Sequence, residues 1–125
     1  MKNNPKVVAV DFDETLGLYP KNHKQDGYVP KLINNVSNQR MIALIKSLRK
    51  KKIKVIIYTS RWWGDYNSLC EWLKKHKIVV DDVVLGRLKA DAYICDKSIY
   101  AHDENLEKKT EAMLKLSESW GMYAR

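Results

Sequence analysis

Two runs of mostly apolar residues, each ended by polar ones, predict buried β-strands. The first run covers residues 7–10 and ends at Asp11, and the second covers residues 53–58 and ends at Thr59. Apolar runs of this length are typical of strands that are covered on both faces of a sheet. We therefore expect both strands to lie inside the core, buried on both faces.

Apolar residues at helical spacing predict three helices. The first begins at about Asn38, and the second covers residues 65–76 with Asp65 as a plausible N-cap. The third covers about 103–120, and Gly121 is its stop signal. Their predicted inner faces are Met41, Leu44, Ile45 and Leu48 in the first, Tyr66, Leu69, Cys70 and Leu73 in the second, and Leu106, Met113 and Leu114 in the third.

The order of the elements predicts the fold class. Residues 78–85 and 93–95 supply further strand material, so strands and helices alternate along the chain. This alternation indicates an α/β fold, a Rossmann-like and mainly parallel sheet flanked by helices, in one domain of residues 1–125. Residues 17–37 are polar and show no clear period, and loops of that length in a small domain are often functional.

Composition is consistent with a soluble globular chain. The 125 residues are 45% hydrophobic and 30% charged, enough apolar residues to fill one core. No segment is long and apolar enough to span a bilayer, and the polar N-terminus is too short for a signal peptide, so we expect a cytoplasmic protein. Cys70 and Cys95 form no metal-binding pattern and are read as reduced core thiols.

The formal net charge of +8 leaves two interpretations open. A basic surface attracts nucleic acid or concentrates small phosphorylated substrates. Alternatively, it is a solvated lysine-rich surface without a ligand. Much of the excess lies within residues 46–54, at the end of a predicted helix, where lysines complement the helix dipole.

Polar side chains that suit chemistry follow the predicted strands. Because the carboxyl ends of parallel strands meet at one edge of a sheet, these side chains are expected to share one site. They are Asp11, Asp13 and Thr15 after the first strand, Thr59, Ser60 and Arg61 after the second, and Asp96 after the last, preceded by Arg87 and Lys89.

This set of residues suits phosphoryl transfer, which needs a nucleophile, a metal ion and positioned donors or cations. Asp11, just beyond a rigid strand, is placed to be the nucleophile and to form an aspartyl-phosphate. Asp13 is placed to protonate the leaving oxygen and then to activate water. Thr59 is placed to donate a hydrogen bond to the phosphoryl oxygens, as part of a phosphate-binding group with Ser60 and Arg61.

Magnesium is the cofactor that these residues fit. Mg²⁺ prefers a few carboxylates in an octahedral shell of oxygens and keeps several waters. The carboxylates of Asp11 and Asp96 and the backbone carbonyl of Asp13 provide such donors. Arg87 or Lys89 is available to balance the negative charge of the phosphoryl group.

Three segments resemble the motifs of the haloacid dehalogenase superfamily of phosphatases. Val-Ala-Val-Asp11-Phe-Asp13-Glu-Thr15-Leu is similar to its first motif, and the apolar strand ending in Thr59-Ser-Arg is similar to its second. The stretch Gly-Arg-Leu-Lys-Ala-Asp-Ala-Tyr-Ile-Cys-Asp-Lys, residues 86–97, resembles the merged third and fourth motifs of small capless members. The likeness covers residues 7–99, most of the chain.

The resemblance implies roles for individual residues. It implies that Asp11 is the nucleophile and a Mg²⁺ ligand, that Asp13 is the general acid and base, and that Thr59 binds the phosphoryl group. Asp96 matches the acidic residue that holds the metal. Residues 17–37 stand where the superfamily places a cap over the site, and they are too few for a cap domain, which implies an open site.

Two positions depart from the family pattern. Arg87 stands where the family has lysine, and Lys89, two positions on, points the same way in an extended chain and is the predicted replacement. Cys95 stands where the family has the first of two adjacent acids. These departures keep a second hypothesis open, a catalytically weakened binding module for nucleic acid or a protein partner. A response-regulator receiver domain does not fit, because its phosphorylated aspartate follows a later strand.

The substrate class stays open between a sugar phosphate, a nucleotide and the terminal phosphate of a nucleic acid. Trp62 and Trp63 directly follow the second motif and are either packing residues or a stacking platform for a base or sugar. Within the cap-position segment, Tyr19, Lys21, Lys24 and Tyr28 are either candidates for contact with the substrate or residues of a flexible surface loop. No obligate protein partner and no membrane association are evident from the sequence.

Overall fold

The computed structural model describes residues 6–21, 31–86 and 98–119. In chain order the elements are β1 (Val7–Asp11), β2 (Gly17–Leu18), β3 (Val36–Ser37), α1 (Gln39–Lys50), β4 (Lys54–Thr59), α2 (Tyr66–Lys75), β5 (Asp82–Leu85) and α3 (Leu106–Ser119). No helix within these ranges is both long enough and apolar enough to cross a membrane.

The central sheet is parallel and has the strand order β1-β4-β5. Asp11 pairs with Tyr58, and Thr59 pairs with Leu85, so β1, β4 and β5 end at the same edge. Helices α1 and α2 form the connections between these strands. The predicted α/β fold, a parallel sheet flanked by helices in one small domain, is confirmed. The predicted strand at 93–95 lies outside the described residues.

One face of the sheet carries the core. Val10, Val55 and Ile57 are buried and join one cluster with apolar side chains of all three helices. Their strand neighbours are not buried in the same way: Ala9 is exposed and Ile56 is half-buried. Successive strand residues point to opposite faces, so in the described part of the chain only one face is fully covered. The prediction of burial on both faces is wrong there.

The helices lie where the apolar period placed them, with local differences. Asn38 caps α1 by accepting a hydrogen bond from the backbone N–H of Met41 at 3.3 Å. In α2 the buried aromatic residue is Trp72, whereas Tyr66, predicted to face inward, is 47% exposed. Helix α3 starts at Leu106, later than predicted, because Asp103 holds the preceding turn by accepting from the backbone N–H of Asn105 at 2.7 Å.

The cap-position segment is more ordered at its ends than its sequence predicts. Strands β2 and β3 pair antiparallel, with Gly17 opposite Ser37, and a short 3-10 helix spans Leu32–Asn34. The prediction of an irregular loop is therefore wrong at these positions. Ile33 and Val36 are exposed, so the ladder has no alternating apolar pattern to reveal it. Residues 22–30 lie outside the described residues.

Candidate functional site

The turn after β1 sets the geometry of the site. The backbone carbonyl of Phe12 accepts hydrogen bonds from the N–H groups of Thr15, Leu16 and Gly17 at 2.9–3.1 Å. The Phe12 ring is fully buried and meets Trp72 edge-to-face, with ring centroids 5.0 Å apart. These contacts fix the backbone around Phe12, which lies between the two predicted catalytic aspartates, Asp11 and Asp13.

Asp11 is the last residue of β1 and is half-buried. Its carboxylate oxygen Oδ1 accepts a hydrogen bond from the backbone N–H of Phe12 at 2.8 Å. The strand pairing with Tyr58 and the anchored Phe12 fix the backbone of Asp11 on both sides. The side chain therefore starts from a rigid point at the carboxyl edge of the sheet.

Asp13 is held by three side chains from two separate segments, the end of β4 and the residue before β3. Arg61 donates to it from Nε to Oδ2 at 3.0 Å and from Nη2 to Oδ1 at 2.8 Å. The Thr59 hydroxyl donates to Oδ2 at 3.4 Å, and the Asn35 amide donates to Oδ1 at 3.4 Å. Only 18% of the Asp13 side chain and 10% of the Arg61 side chain are exposed. The carboxylate is thus fixed in a partly buried, charge-paired position.

Arg61 is partly buried between two carboxylates at this edge. Burial lowers its pKa, but the hydrogen bonds and the negative charge of Asp13 outweigh burial, so the pKa lies above its ordinary value. Asp65 adds a second ion pair, with 3.6 Å between Oδ2 and Nη1 of Arg61. Asp65 occupies the N-cap position of α2 without a capping hydrogen bond from its side chain. Its carboxylate pairs with the guanidinium of Arg61 instead.

Thr59 and Ser60 lie beside this ion pair. Thr59 ends β4, is 1% exposed, and its Oγ1 accepts a hydrogen bond from the backbone N–H of Arg61 at 3.2 Å. Ser60 is half-buried between them. The structure thus places the predicted residues Asp11, Asp13, Thr59, Ser60 and Arg61 at one edge of the sheet.

Asn35 is a site residue that sequence reasoning missed. It is 4% exposed, and its Nδ2 also donates to the backbone carbonyl of Gly17 at 3.1 Å. Gly17 approaches so closely that a Cβ there would lie 2.6 Å from the Phe12 ring. The Oδ1 of Asn35 is buried without a hydrogen-bond partner in the described residues. An asparagine in an aperiodic segment carries no sequence signal for this role.

Tyr19 borders the site from the cap-position segment. Burial, and secondly the negative charge of Asp13, raise the pKa of the Tyr19 phenol above its ordinary value. The influence of Asp13 on Tyr19 places the ring within electrostatic reach of the carboxylate. Contact of Tyr19 with a substrate stays a prediction.

The chain lies at this edge both before and after residues 87–97, which make up most of the segment that resembles the third and fourth motifs. The N–H of Gly86, which has a φ of 94° that favours glycine, donates to the carbonyls of Thr59 and Arg61 at 3.0 and 3.2 Å. His102 Nε2 lies 2.6 Å from the carbonyl of Glu14 in the turn after β1. The predicted residues Arg87, Lys89 and Asp96, and also Cys95, lie between these positions and outside the described residues.

The carboxylates in the described part of this edge include those of Asp11, Asp13 and Asp65, and the last two are paired with Arg61. Within residues 6–21, 31–86 and 98–119, no three acidic, histidine or cysteine side chains are grouped closely enough to hold a metal ion. Chemically, the edge offers one strand-end carboxylate, a second carboxylate paired with a guanidinium, and a buried hydroxyl. These carboxyl and hydroxyl groups are able to accept and donate protons, and the positive charge of Arg61 is paired with Asp13 and Asp65.

Solved structures of other proteins resemble this fold. The crystal structure of an MCSG target from Vibrio cholerae has a TM-score of 0.63 and 21% identity, and the match covers 89% of this chain and 98% of that chain. A chain in the structure of the Pnkp1/Rnl/Hen1 complex has a TM-score of 0.56 and 18% identity, covering 90% of this chain and 36% of that chain. At these identities the likeness shows the fold alone.

Matches at the level of sequence are absent. No protein-family model matches the chain, and no curated protein matches it.

Proposed function

We propose that this protein is a Mg²⁺-dependent phosphomonoesterase that works through an aspartyl-phosphate on Asp11. The observation that carries the proposal is the convergence at one sheet edge. Asp11 ends β1, while Asp13 is held by Thr59 and Arg61 from the end of β4. The resemblance of these segments to the motifs of the haloacid dehalogenase superfamily supports the same chemistry.

In the first proposed step, a carboxylate oxygen of Asp11 attacks the phosphorus of the monoester. The bond from phosphorus to the ester oxygen breaks, and protonated Asp13 donates its proton to that leaving oxygen. In the second step, Asp13, now a carboxylate, accepts a proton from water, and the water oxygen attacks phosphorus. The bond to Asp11 breaks, which releases inorganic phosphate and restores both carboxyl groups.

Arg61 and Thr59 are proposed to orient this chemistry. The guanidinium of Arg61 bonds both oxygens of Asp13, which fixes the position of the carboxylate, and one of these bonds has to open when Asp13 carries the proton for the leaving oxygen. It also places a positive charge beside the phosphoryl oxygens, where charge develops in the transition state. The hydroxyl of Thr59 and the neighbouring Ser60 are proposed phosphate-binding groups.

The donors at this edge fit Mg²⁺, which prefers oxygen ligands. The Asp11 carboxylate and the Asp13 backbone carbonyl are proposed ligands, and Asp96 is the proposed third. When bound, the ion neutralises negative charge on the phosphoryl oxygens. Gly86 and His102 bring the chain to this edge on both sides of residues 87–97, which supports placing Asp96 here.

The test is phosphate release from a panel of phosphomonoesters with and without Mg²⁺. The panel contains p-nitrophenyl phosphate, sugar phosphates, nucleotides and 5′- and 3′-phosphorylated oligonucleotides. Asp11→Asn is expected to abolish release. Asp82→Asn is the matched control, because Asp82 starts β5 at the opposite edge and is exposed. We expect the control to retain wild-type rates.

The proposal is supported if Mg²⁺-dependent release is lost in Asp11→Asn and retained in Asp82→Asn. If folded wild type releases phosphate from no member, or if Asp11→Asn retains full activity, the proposal fails. The first of these outcomes favours the alternative, a binding module on the same fold.

A separate test decides whether Lys89 or Arg87 takes the place of the family's third-motif lysine. We predict that Lys89→Ala loses most activity, about 100-fold, because a positioned cation stabilises transferring phosphoryl groups, and that Arg87→Ala loses little. Steady-state kinetics on the best substrate decides between them. The reverse pattern would assign the role to Arg87.

A further inference from the structure

Large aromatic side chains lie exposed directly beside the proposed site. Trp62 is 65% exposed, Trp63 is 76% exposed, and Tyr66 is 47% exposed. Tryptophan is highly buried on average in folded proteins. Two adjacent tryptophans that leave most of their surface in water therefore form an apolar patch whose position needs an explanation.

The patch is continuous with the phosphate-binding group. Trp62 follows Arg61, whose backbone N–H bonds the Thr59 hydroxyl and whose guanidinium bonds Asp13. Consecutive Cα atoms are about 3.8 Å apart, so the first indole begins one residue away from the site. The patch therefore begins at the residue that follows Arg61 in the proposed site.

The two rings are held in a defined arrangement. The Trp62 ring lies so close over Gly64 that a Cβ there would be 2.2 Å from ring carbons Cη2 and Cζ2. A side chain at position 64 would require the Trp62 ring to shift. The rings of Trp62 and Trp63 are 5.6 Å apart and inclined at 61°. Together the two rings form an aromatic corner on the surface.

We infer that Trp62 and Trp63 form a nucleobase subsite, so that the substrate is a terminal nucleotide phosphate. A planar base is able to lie flat on one indole while its edge meets the other, and base–aromatic stacking is a strong, sequence-tolerant contact. The net charge of +8 favours such an anion. This inference rests on the proposed function and specifies its substrate class.

The first test compares a nucleotide with the same sugar phosphate lacking a base. The catalytic efficiency, kcat/KM, is measured for adenosine 5′-phosphate and for ribose 5-phosphate in wild type and in Trp62→Ala/Trp63→Ala. We expect the double variant to lose about 10-fold or more on the nucleotide, mostly in KM, and clearly less on ribose 5-phosphate. Trp62→Phe/Trp63→Phe, which keeps two π faces, is expected to recover most of the loss.

The control is Val79→Ala, which truncates a 61% exposed apolar side chain just after α2 and is expected to change neither efficiency. A 5′-phosphorylated oligonucleotide as a third substrate distinguishes a free nucleotide from a nucleic-acid end. Equal losses on adenosine 5′-phosphate and ribose 5-phosphate, or no loss on either, would overturn the inference.

The second test does not depend on activity. Adenosine 5′-phosphate is titrated into Asp11→Asn while tryptophan fluorescence is recorded. We expect saturable quenching that disappears when Trp62 and Trp63 are also alanine. If wild type hydrolyses nothing, the proposed function fails, and this titration alone decides on the subsite. Absence of quenching would overturn the inference of a nucleobase subsite.

Discussion

Two aspartate–arginine pairs lie at opposite edges of the same parallel sheet. At the amino edge, Arg49 donates to both carboxylate oxygens of Asp81 at 3.2 Å, and Asp81 also accepts from the backbone N–H of Val55 at 2.8 Å. The backbone N–H of Asp81 donates in turn to the Val55 carbonyl. This pair ties helix α1 and the start of β5 to the main chain of β4.

The pair at the carboxyl edge is made of the same residue types and is used differently. In the described residues, the hydrogen-bond donors to the Asp13 carboxylate are all side chains, those of Asn35, Thr59 and Arg61. It is also more buried: Arg61 is 10% exposed against 34% for Arg49. The Asp81 carboxylate accepts a hydrogen bond from the main chain of β4. In the described residues the Asp13 carboxylate accepts only from side chains. The comparison therefore separates a pair that supports the backbone from the pair that we propose to be catalytic.

The largest expected effect is that of removing each carboxylate charge. Asp13→Asn should lower kcat by about 100-fold or more, because general acid–base catalysis contributes roughly 10²- to 10⁴-fold. Asp81→Asn should leave kcat near the wild-type value. Steady-state kinetics on the best substrate of the panel measures both. Similar losses in the two variants would erase the distinction between the edges.

The next effect comes from exchanging each arginine for lysine. Lysine keeps the charge but loses the planar fork that grips two oxygens. Arg61→Lys should reduce kcat by about 10-fold, since a misplaced catalytic group is costly, while Arg49→Lys should not change it. The same kinetic assay applies. An unaffected Arg61→Lys would show that charge alone suffices at Asp13.

The free energy of unfolding should depend on the amino-edge pair, Arg49 and Asp81, rather than on the carboxyl-edge pair. Asp81→Asn should lower the free energy of unfolding by about 1 kcal/mol, because a charged acceptor of a main-chain N–H is lost and the site is partly exposed to solvent. Urea unfolding followed by circular dichroism measures the change. Arg49→Ala should give a loss in the same direction. A wild-type midpoint in Asp81→Asn would contradict the structural role.

The smallest effect is a pH dependence of stability. The hydrogen bonds from Arg49 and then from Val55 lower the pKa of Asp81 below its ordinary value of 3.8. The unfolded chain therefore takes up the proton first, and the stability from Asp81 is complete above that value and lost as the pH falls through the lowered folded pKa. The urea midpoint should fall less in Asp81→Asn than in wild type between about pH 5 and about pH 3. An equal fall would contradict this assignment.

The parts of the site predictable from sequence are those fixed by strand ends. The apolar runs located β1 and β4, and the parallel edge rule then brought Asp11, Asp13, Thr59 and Arg61 together. Such predictions work because burial of a strand has a local signature. The pairing of Arg61 with Asp13 was not predicted, since it depends on the tight turn after β1.

The missed features depend on contacts between distant segments. Asn35 reaches Asp13 across 22 positions, and nothing in its neighbourhood is periodic. Trp72, rather than Tyr66, turns inward because its ring meets Phe12 and its Nε1 donates to the Asn35 carbonyl at 3.1 Å. Helical spacing alone does not distinguish two aromatic residues near the border of one face. Tertiary packing decided that choice.

The central claim is the covalent chemistry of Asp11, and trapping the intermediate tests it most directly. The best substrate of the panel, labelled in its phosphate group, is mixed with wild type and Mg²⁺, quenched in acid and digested. The account predicts label on the peptide that contains Asp11, release of that label by hydroxylamine, and no label in Asp11→Asn. Mg²⁺-dependent hydrolysis with the label on another residue, or with none on the protein, would contradict it.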